Sequence, residues 1–299
     1  MQQVAAAFIR RTADTVQRRT QQLDANQLCK LAVTLGSRAR SDTACEVAPP
    51  LDTALPPGWH LVYFTPSFQE EALGPDGSDR SFNPDPPFTR RMWAGGRLKW
   101  DTHSPLRIGQ TVTEHTKVVK AEPKTNKHGG EMILAGVEKQ YETQDGVVLT
   151  DQREWVFLPE LSDQGSSSSK SGERTQPSIR RYATTSPTIA SRSHVQTAVS
   201  LFRFSALTFN GHKIHYSLPW VRDVEGHREI VVHAPLNLVL MLELYRSVHG
   251  EGKPPASMEY RAVSPIYAHE EYVIHLAESG EVWCEKRLDG ALCLTGRIL

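Results

Sequence analysis

Several features that would identify common classes of protein are missing from this chain. No apolar run reaches the roughly 18 residues that a membrane-spanning helix requires, so we predict no membrane span. Lys+Arg and Asp+Glu both number 34, and a net charge of zero provides no basic field to attract nucleic acid. The four cysteines form no CxxC pair and no metal-ligand spacing, and we expect them to be reduced thiols.

Short catalytic signatures are missing as well. The sequence contains no GxGxxG, P-loop or GxSxG pattern. It therefore gives no local support to a nucleotide-dependent redox enzyme or to a serine hydrolase. His212 and His215 are close in sequence, but no acidic partner motif accompanies them, and we predict no metal site.

The N-terminal segment, residues 1–22, is rich in arginine and poor in acid. It carries one acid, Asp14, against four arginines, Arg10, Arg11, Arg18 and Arg19. An arginine-rich, acid-poor amphipathic start is typical of a mitochondrial presequence, and an ordinary solvated helix is the alternative. We therefore predict a presequence at residues 1–22 and import into the mitochondrial matrix.

Composition divides the remaining chain into two halves, residues 23–160 and 194–299. The segment between them, 161–193, is dominated by Ser, Thr, Arg and Pro, which predicts a disordered linker. Each half combines helix with alternating apolar and polar strands, which favours an α+β fold. The predicted helices are 23–35, 195–209 and 236–248, and the predicted strands are 59–65, 109–120, 131–143, 147–158, 256–263, 270–277, 281–287 and 291–298.

The residues best suited to catalysis lie in the second half. Residues 207–216 place an asparagine, two histidines and a tyrosine within seven positions, and residues 231–236, Val-Val-His-Ala-Pro-Leu, form a small-residue turn before an apolar helix. Unpaired N–H groups at a helix N-terminus can stabilise a developing oxyanion, and a histidine can move protons. This combination suits chemistry on a carbonyl group.

Residues 207–215, Leu-Thr-Phe-Asn-Gly-His-Lys-Ile-His, resemble the hydratase motif of MaoC-like enzymes, whose core runs Asp, any residue, Asn, Pro, an aliphatic residue and His. The whole chain resembles the fungal mitochondrial type 2 hydroxyacyl-thioester dehydratases and is similar to the mesaconyl-CoA hydratases. The resemblance implies a tandem (double) hot-dog fold, in which two curved antiparallel sheets each wrap around a long helix. In the second half that helix would be 236–248. Supporting stretches are 61–66, 88–96, 104–109 and 260–265.

The same resemblance assigns roles to individual residues. His215 aligns with the catalytic histidine, which takes or returns the C2 proton of an acyl thioester. Asn210 stands where most relatives have aspartate; an amide can orient a hydroxyl or water but cannot accept a proton. His212 would compensate for that change or support the loop. The Ala234 N–H would stabilise an enolate oxyanion, and His233 would hold the turn or touch the substrate.

The first half has no equivalent histidine motif, and the resemblance implies that it supports the fold and forms part of a substrate tunnel. Arg90 and Arg91 precede an open turn that contains Gly95 and Gly96. We predict that these residues bind the phosphates of CoA or of a phosphopantetheine arm. Surface and interdomain salt bridges are the alternative role for the two arginines.

Together these features predict a hydro-lyase that reversibly dehydrates a 3-hydroxyacyl thioester, of the 3R form, to a trans-2-enoyl thioester in mitochondrial fatty acid synthesis. Acyl carrier protein or CoA would carry the acyl group, no other cofactor is expected, and a homodimer is compatible with this interpretation. Two alternatives stay open. One is a hydratase of a branched or dicarboxylic acyl-CoA of the mesaconyl-CoA type. The other is a catalytically weak thioester-binding hot-dog protein, which Asn210 and Ala234 keep open.

Overall fold

The computed structural model describes residues 1–36, 47–126, 129–160, 180–250 and 254–299. Within these residues ten strands form one continuous antiparallel sheet, and each half of the chain contributes five of them. The strands are β1 (Gln17–Gln22), β2 (Arg90–Trp100), β3 (Thr111–Thr125), β4 (Glu131–Thr143), β5 (Gly146–Leu158), β6 (Thr188–Val195), β7 (Ser257–Ala262), β8 (Glu271–Ala277), β9 (Glu281–Lys286) and β10 (Leu292–Ile298). Their order across the sheet is β1-β3-β4-β5-β2-β7-β10-β9-β8-β6. Apart from residues 59–65, every predicted strand is confirmed.

Strand β2 joins the two halves, because it pairs with β5 on one side and with β7 on the other. Gly95 and Gly96 lie in the middle of this seam. A Cβ on Gly95 would lie 2.5 Å from the carbonyl oxygen of Tyr260, and a Cβ on Gly96 would overlap the carbonyl oxygen of Gln152. The two glycines therefore permit close strand packing, and the prediction that they form an open turn is wrong.

The first half is built differently from the long-helix arrangement that the resemblance implies. Residues 59–65 contain a buried 3-10 helix, Trp59–Val62, where we predict a strand. A short apolar run has no periodicity that separates a strand from a buried helical turn, which explains the wrong prediction. Within the described residues of this half, the helices are this short turn, a second 3-10 turn (Glu70–Ala72), α1 (Gln2–Thr12) and α2 (Ala25–Leu35).

Residues 1–22 are part of the folded first half. Helix α1 packs against β3 and buries Phe8 completely, in edge contact with Phe157. Strand β1 pairs with β3 along its whole length, and Arg11 and Arg19 make ion pairs. An import role for this segment stays a prediction, but its removal would expose an apolar cluster and one edge of β3.

Helix α2 confirms the helix predicted at 23–35. The Asp24 side chain accepts a hydrogen bond from the backbone N–H of Gln27, and Gly36 ends the helix with a left-handed φ of 61°. An aspartate at the N-cap and a left-handed glycine at the C-cap are common at the two ends of helices. The Gln27 side chain donates to the carbonyl oxygen of Val62 at 2.9 Å and to that of Leu207 at 2.7 Å, so α2 links the two halves.

The second half contains α3 (Ala198–Leu207) and the central helix α4 (Ala234–His249), as expected. Residues 236–244 are all buried, because α4 is mostly apolar and is enclosed by protein. Trp59 of the first half donates its indole N–H to Glu243 of α4 at 2.8 Å. No helix in the described ranges is long and apolar enough to cross a membrane.

The predicted linker, 161–193, falls partly outside the described residues, which exclude 161–179. For residues 180–193 the prediction of disorder is wrong. Tyr182 stacks on Trp283 at 4.9 Å, and β6 pairs with β8 at the edge of the sheet. Most of β6 alternates between exposed and partly buried residues, and an edge strand of this kind has the polar composition of a linker.

The cysteines correct a further expectation. Cys284 and Cys293 are free and buried, as expected. Cys29 is disulfide-bonded, although we expect a reduced thiol from the sequence. Disulfide formation requires two thiols to approach in space, and spacing along the chain does not reveal that approach.

Candidate active site

A cavity of about 800 Å³ lies between the two halves. Loop 66–87 and strands β1 to β5 of the first half form one wall. The segment between α3 and α4, the start of α4 and residues 262–266, 293 and 294 form the other. Seven of the nine residues that the sequence predicts for the site line this cavity, and Gly95 and Gly96 do not. The seven are Arg90, Arg91, Asn210, His212, His215, His233 and Ala234.

The loop after α3 brings the two motif histidines onto the same wall. Phe209 adopts a left-handed φ of 47°, which is uncommon for a bulky residue and turns the chain sharply. The backbone N–H of Asn210 then donates to the carbonyl oxygen of Ser205 at 2.8 Å. A 3-10 turn, Lys213–His215, follows and leaves the rings of His212 and His215 with centroids 5.5 Å apart.

His215 is oriented as a neutral base. Its Nδ1 lies 2.8 Å from the carbonyl oxygen of Val231, and since that oxygen only accepts, Nδ1 carries the proton. The lone pair is therefore on Nε2. Burial is the main reason that the pKa of His215 falls to about 3, and the neighbouring His212 lowers it further. At neutral pH His215 is an uncharged imidazole with a free nitrogen.

His233 supports the ring of His215 from behind. Its ring stacks on that of His215 with centroids 3.6 Å apart and an angle of 18° between planes. His233 Nε2 lies 2.9 Å from the hydroxyl of Ser205, and burial holds its pKa well below the ordinary value. A neutral stacked imidazole fixes the plane of His215, and His233 also borders the cavity.

Asn210 shapes the loop that carries the histidines. Its side-chain oxygen accepts a hydrogen bond from the backbone N–H of His212 at 3.1 Å. The side-chain NH₂ can act as a donor toward the cavity, which Asn210 lines. Tyr216 is about half exposed, and its hydroxyl donates to the carbonyl oxygen of Gly211 at 2.9 Å.

Ala234 is the first residue of α4, and Pro235 is the second. Proline fits the first turn because the N–H groups there have no partner within the helix. The Ala234 N–H makes no hydrogen bond to any described residue, and Ala234 lines the cavity. A free N–H at the positive end of a buried helix dipole is a suitable donor to an oxyanion.

Loop 66–87 contributes a residue that the sequence reasoning missed. Asp76 lines the cavity, and its Oδ2 lies 3.5 Å from Nε2 of His212. Gly77 (φ 77°) packs so closely on Gly211 that a Cβ at Gly77 would overlap the Gly211 carbonyl oxygen. The only signal in the sequence was the turn-forming run Gly-Pro-Asp-Gly at 74–77.

Arg90 and Arg91 lie in the cavity wall but are paired with protein groups. Arg90 forms an ion pair with Glu225. The Arg91 guanidinium lies 4.5 Å from the ring centre of Trp155 and 3.9 Å from Asp79. The Arg90–Glu225 pair joins the two halves, as in the alternative that we gave, whereas Arg91 pairs within the first half. Phosphate binding by the two arginines stays a prediction.

The wall formed by β1, β3, β4 and β5 carries buried charges that the sequence reasoning also missed. Lys139 Nζ lies 2.9 Å from Glu114, and Arg153 Nε donates to Asp151 at 2.7 Å. Arg19 lies 3.5 Å from Glu114. All of these residues except Asp151 border the cavity, and burial is the main cause that lowers the pKa of Lys139 to about 8. Three cations face two carboxylates, so the cluster has one unbalanced positive charge.

This geometry supports proton transfer next to a carbonyl group. A free imidazole nitrogen on His215 and an unpaired N–H on Ala234 border the same cavity. The imidazole can remove a proton from carbon while the N–H stabilises the negative charge that develops on the carbonyl oxygen.

Comparison with known proteins gives the same family as the motifs. Residues 58–268 match the family model described as hydroxyacyl-thioester dehydratase type 2. The chain is 31% identical over 222 residues to a mesaconyl-C(4)-CoA hydratase of Chloroflexus aurantiacus, with 74% of each chain covered. It is 27% identical to a mitochondrial hydroxyacyl-thioester dehydratase type 2 of Schizosaccharomyces pombe, with 78% of this chain and 81% of the relative covered.

Solved structures confirm the fold class. A MaoC-like dehydratase from Phytophthora capsici superposes with a TM-score of 0.68 at 15% identity and covers 98% of both chains. A Mycobacterium tuberculosis protein with a double hot-dog fold superposes with a TM-score of 0.57 at 14% identity, over 95% of this chain and 93% of that one. The tandem hot-dog fold predicted from the sequence is therefore correct.

Proposed function

Because this chain belongs to the type 2 hydroxyacyl-thioester dehydratases and is a hydro-lyase, we propose that it removes water reversibly from a 3-hydroxyacyl thioester to give a trans-2-enoyl thioester. The observation that carries this proposal is the neutral His215 with a free Nε2 in the cavity that the Ala234 N–H also borders. Those two groups are the minimum that proton removal beside a thioester carbonyl requires.

In the dehydration direction His215 Nε2 takes the proton from C2, and the C–H electrons move to the thioester oxygen. The resulting enolate oxygen accepts a hydrogen bond from the Ala234 N–H; loss of one such donor costs about 3–4 kcal/mol in known oxyanion holes. The enolate then expels the C3 hydroxyl, which takes the proton back from His215 and leaves as water. The low pKa of His215 makes its protonated form a strong acid for this second step.

We also propose that the substrate is carried on the phosphopantetheine of acyl carrier protein or CoA and that the enzyme acts in mitochondrial fatty acid synthesis. The support is the name of the S. pombe relative and of a second yeast relative, 21% identical, both called mitochondrial. The full chain fused to a fluorescent reporter should enter mitochondria. A purely cytosolic signal would contradict this location and leave the chemistry unaffected.

The dehydration itself is tested with purified protein and the two enantiomers of 3-hydroxybutyryl-CoA. We expect the absorbance of the enoyl thioester to appear with the 3R substrate and not with the 3S substrate. The matched control is His215→Asn, purified in parallel. If neither enantiomer were converted, and carrier-protein thioesters also failed, the chain would be a thioester-binding protein and not a hydro-lyase.

The buried charge cluster favours a second candidate substrate, a thioester whose acyl group ends in a carboxylate. A buried carboxylate is stable only when it meets cations and hydrogen-bond donors. Lys139 and Arg153 border the cavity and are accompanied by Arg19, so an anionic acyl terminus would neutralise the unbalanced positive charge. The relative from C. aurantiacus is named for such a substrate.

Lys139→Met separates the two candidates, because it removes the charge and keeps most of the side-chain volume. If the cluster binds a carboxylate, kcat/KM for mesaconyl-C(4)-CoA falls by about tenfold or more, while that for crotonyl-CoA stays within about threefold. Lys117→Met is the control, since Lys117 lies on β3 with a half-exposed side chain. Equal effects on both substrates would contradict the second candidate.

A further inference from the structure

Asp76 is held in a fixed orientation beside the catalytic loop. The residue is only 8% exposed. Its Oδ1 accepts hydrogen bonds from the backbone N–H and the hydroxyl of Ser78, at 2.9 and 2.7 Å. The other oxygen, Oδ2, is left to face Nε2 of His212 at 3.5 Å, within ion-pair distance.

The backbone around Asp76 is joined to the loop that carries His212. Lys213 N–H donates to the carbonyl oxygen of Asp76 at 2.7 Å, and Lys213 Nζ donates to that of Pro75 at 2.6 Å. Gly77 adds the close backbone contact with Gly211 described above. The carboxylate of Asp76 is therefore placed against His212 by main-chain contacts.

The motif itself supplies no carboxylate, since position 210 is asparagine and its oxygen is used by the loop. Two carboxylates act on the His212 ring, Asp76 and Glu225. Glu225 is occupied by an ion pair with Arg90. Asp76, which is the larger influence of the two on the pKa of His212, is thus the carboxylate that remains for this ring.

We propose that Asp76, contributed by the first half, replaces the carboxylate missing at position 210 and acts as a positioning residue through His212. The inference rests on the dehydratase activity proposed above. It also gives the first half a direct part in the chemistry, beyond support of the substrate tunnel.

The role follows from the two nitrogens of the imidazole. A carboxylate facing Nε2 favours the tautomer with the proton on that nitrogen, which leaves Nδ1 of His212 with a lone pair. Nδ1 then accepts a hydrogen bond from the 3-hydroxyl, or from water in the reverse direction, and keeps that oxygen next to C3. His215 performs the proton transfer at C2, and no proton leaves Asp76.

The primary test is Asp76→Asn, which keeps the shape of the side chain and an oxygen for Ser78. We expect kcat to fall by about tenfold or more, with the melting temperature little changed. Glu71→Gln is the control: Glu71 is an exposed acid on the same loop and does not line the cavity. A merely structural role for Asp76 would lower the melting temperature together with kcat.

Rescue is the sharper measurement. If Asp76 replaces the motif carboxylate, Asn210→Asp should recover most of the lost kcat in the Asp76→Asn background. In the wild-type background the same change places a second carboxylate by the site and should bring no gain. Failure of rescue in a folded double variant, or wild-type kcat in Asp76→Asn alone, would overturn the inference.

Two further readouts test the pairing of Asp76 with His212, and the position of the pH profile does not depend on the fraction of Asp76→Asn that folds. In a double-mutant cycle that combines Asp76→Asn with His212→Gln, the double variant should lose no more kcat than the worse single variant, because the two residues act as a unit. Additive losses of kcat would show that they act independently and would contradict the inference. The acid limb of the pH profile of kcat/KM should also move to lower pH in Asp76→Asn, because Asp76 raises the pKa of His212. An unmoved limb would contradict the inference. The charged groups that remain around His212 are Arg90, Arg91 and Glu225.

These results are distinguishable from a failure of the proposed function. If the wild-type protein converts no enoyl or hydroxyacyl thioester, the function is wrong and this inference with it. If the wild-type protein is active and Asp76→Asn matches Glu71→Gln, the function stands and Asp76 has no role in it.

Discussion

Replacement of His215 provides the clearest separation of chemistry from stability. The ring has two functions in the structure: Nδ1–H donates to the Val231 carbonyl oxygen at 2.8 Å, and Nε2 is the free base. Asparagine can retain a donor near Nδ1 but offers no base. Alanine removes both, so His215→Asn and His215→Ala form a matched pair.

The structure sets the expected magnitudes. Loss of a general base lowers kcat by about 10²- to 10⁴-fold, or about 3–5 kcal/mol of transition-state stabilisation, in both variants. Only His215→Ala leaves the Val231 carbonyl oxygen without its partner, at a cost of about 1–3 kcal/mol of folding free energy. For a chain of this size that corresponds to a fall in melting temperature of about 2–10 °C.

The assay pairs steady-state hydration of crotonyl-CoA with thermal melting of the same preparations. We expect His215→Asn to melt near the wild-type temperature and both variants to be almost inactive. A folded His215→Asn protein with more than about a tenth of wild-type kcat would refute the assignment of His215 as the base. Equal melting temperatures for the two variants would refute the importance of the Val231 contact.

Three other predictions follow from the same geometry. Ala234→Pro removes the oxyanion donor at a helix position that tolerates proline, so kcat should fall about 10²- to 10³-fold without loss of melting temperature; unchanged kcat would exclude this N–H from catalysis. Phe8→Ala should cost about 3–5 kcal/mol in denaturant unfolding because Phe8 is fully buried, whereas wild-type stability would show that α1 is not part of the folded protein. Burial lowers the pKa values of His212, His215 and His233 below the ordinary 6.5, and the unfolded chain therefore binds these protons more readily. Unfolding free energy should decline as the pH falls below about 6.5, by up to about 1.4 kcal/mol per pH unit for each residue; a flat profile between pH 7 and pH 5 would contradict this.

The strands that alternate clearly in sequence were predictable, and so was the central helix of the second half, because its apolar run is long. The buried turn Trp59–Val62 was not, since so short a buried segment fits a strand or a helix equally well. Strand β6 was missed for the opposite reason: its exposed edge position allows a polar composition.

The candidate residues that lie within one motif, such as His215, were identified from the resemblance, and their catalytic role stays a prediction. Asp76 was not, because it lies on a loop of the other half and reaches His212 only through the folded contact between the halves. Lys139 and Arg153 were likewise hidden, since each appears in sequence as an ordinary polar residue of an alternating strand.

The central claim is that this protein is a hydro-lyase that acts on acyl thioesters, and hydration of crotonyl-CoA by the purified full-length chain tests it most directly. We predict that absorbance of the enoyl thioester is lost with saturable kinetics in proportion to enzyme, and that His215→Asn abolishes this loss. Absence of turnover by folded wild-type protein, with crotonyl-CoA and with longer enoyl groups on acyl carrier protein alike, would contradict the claim.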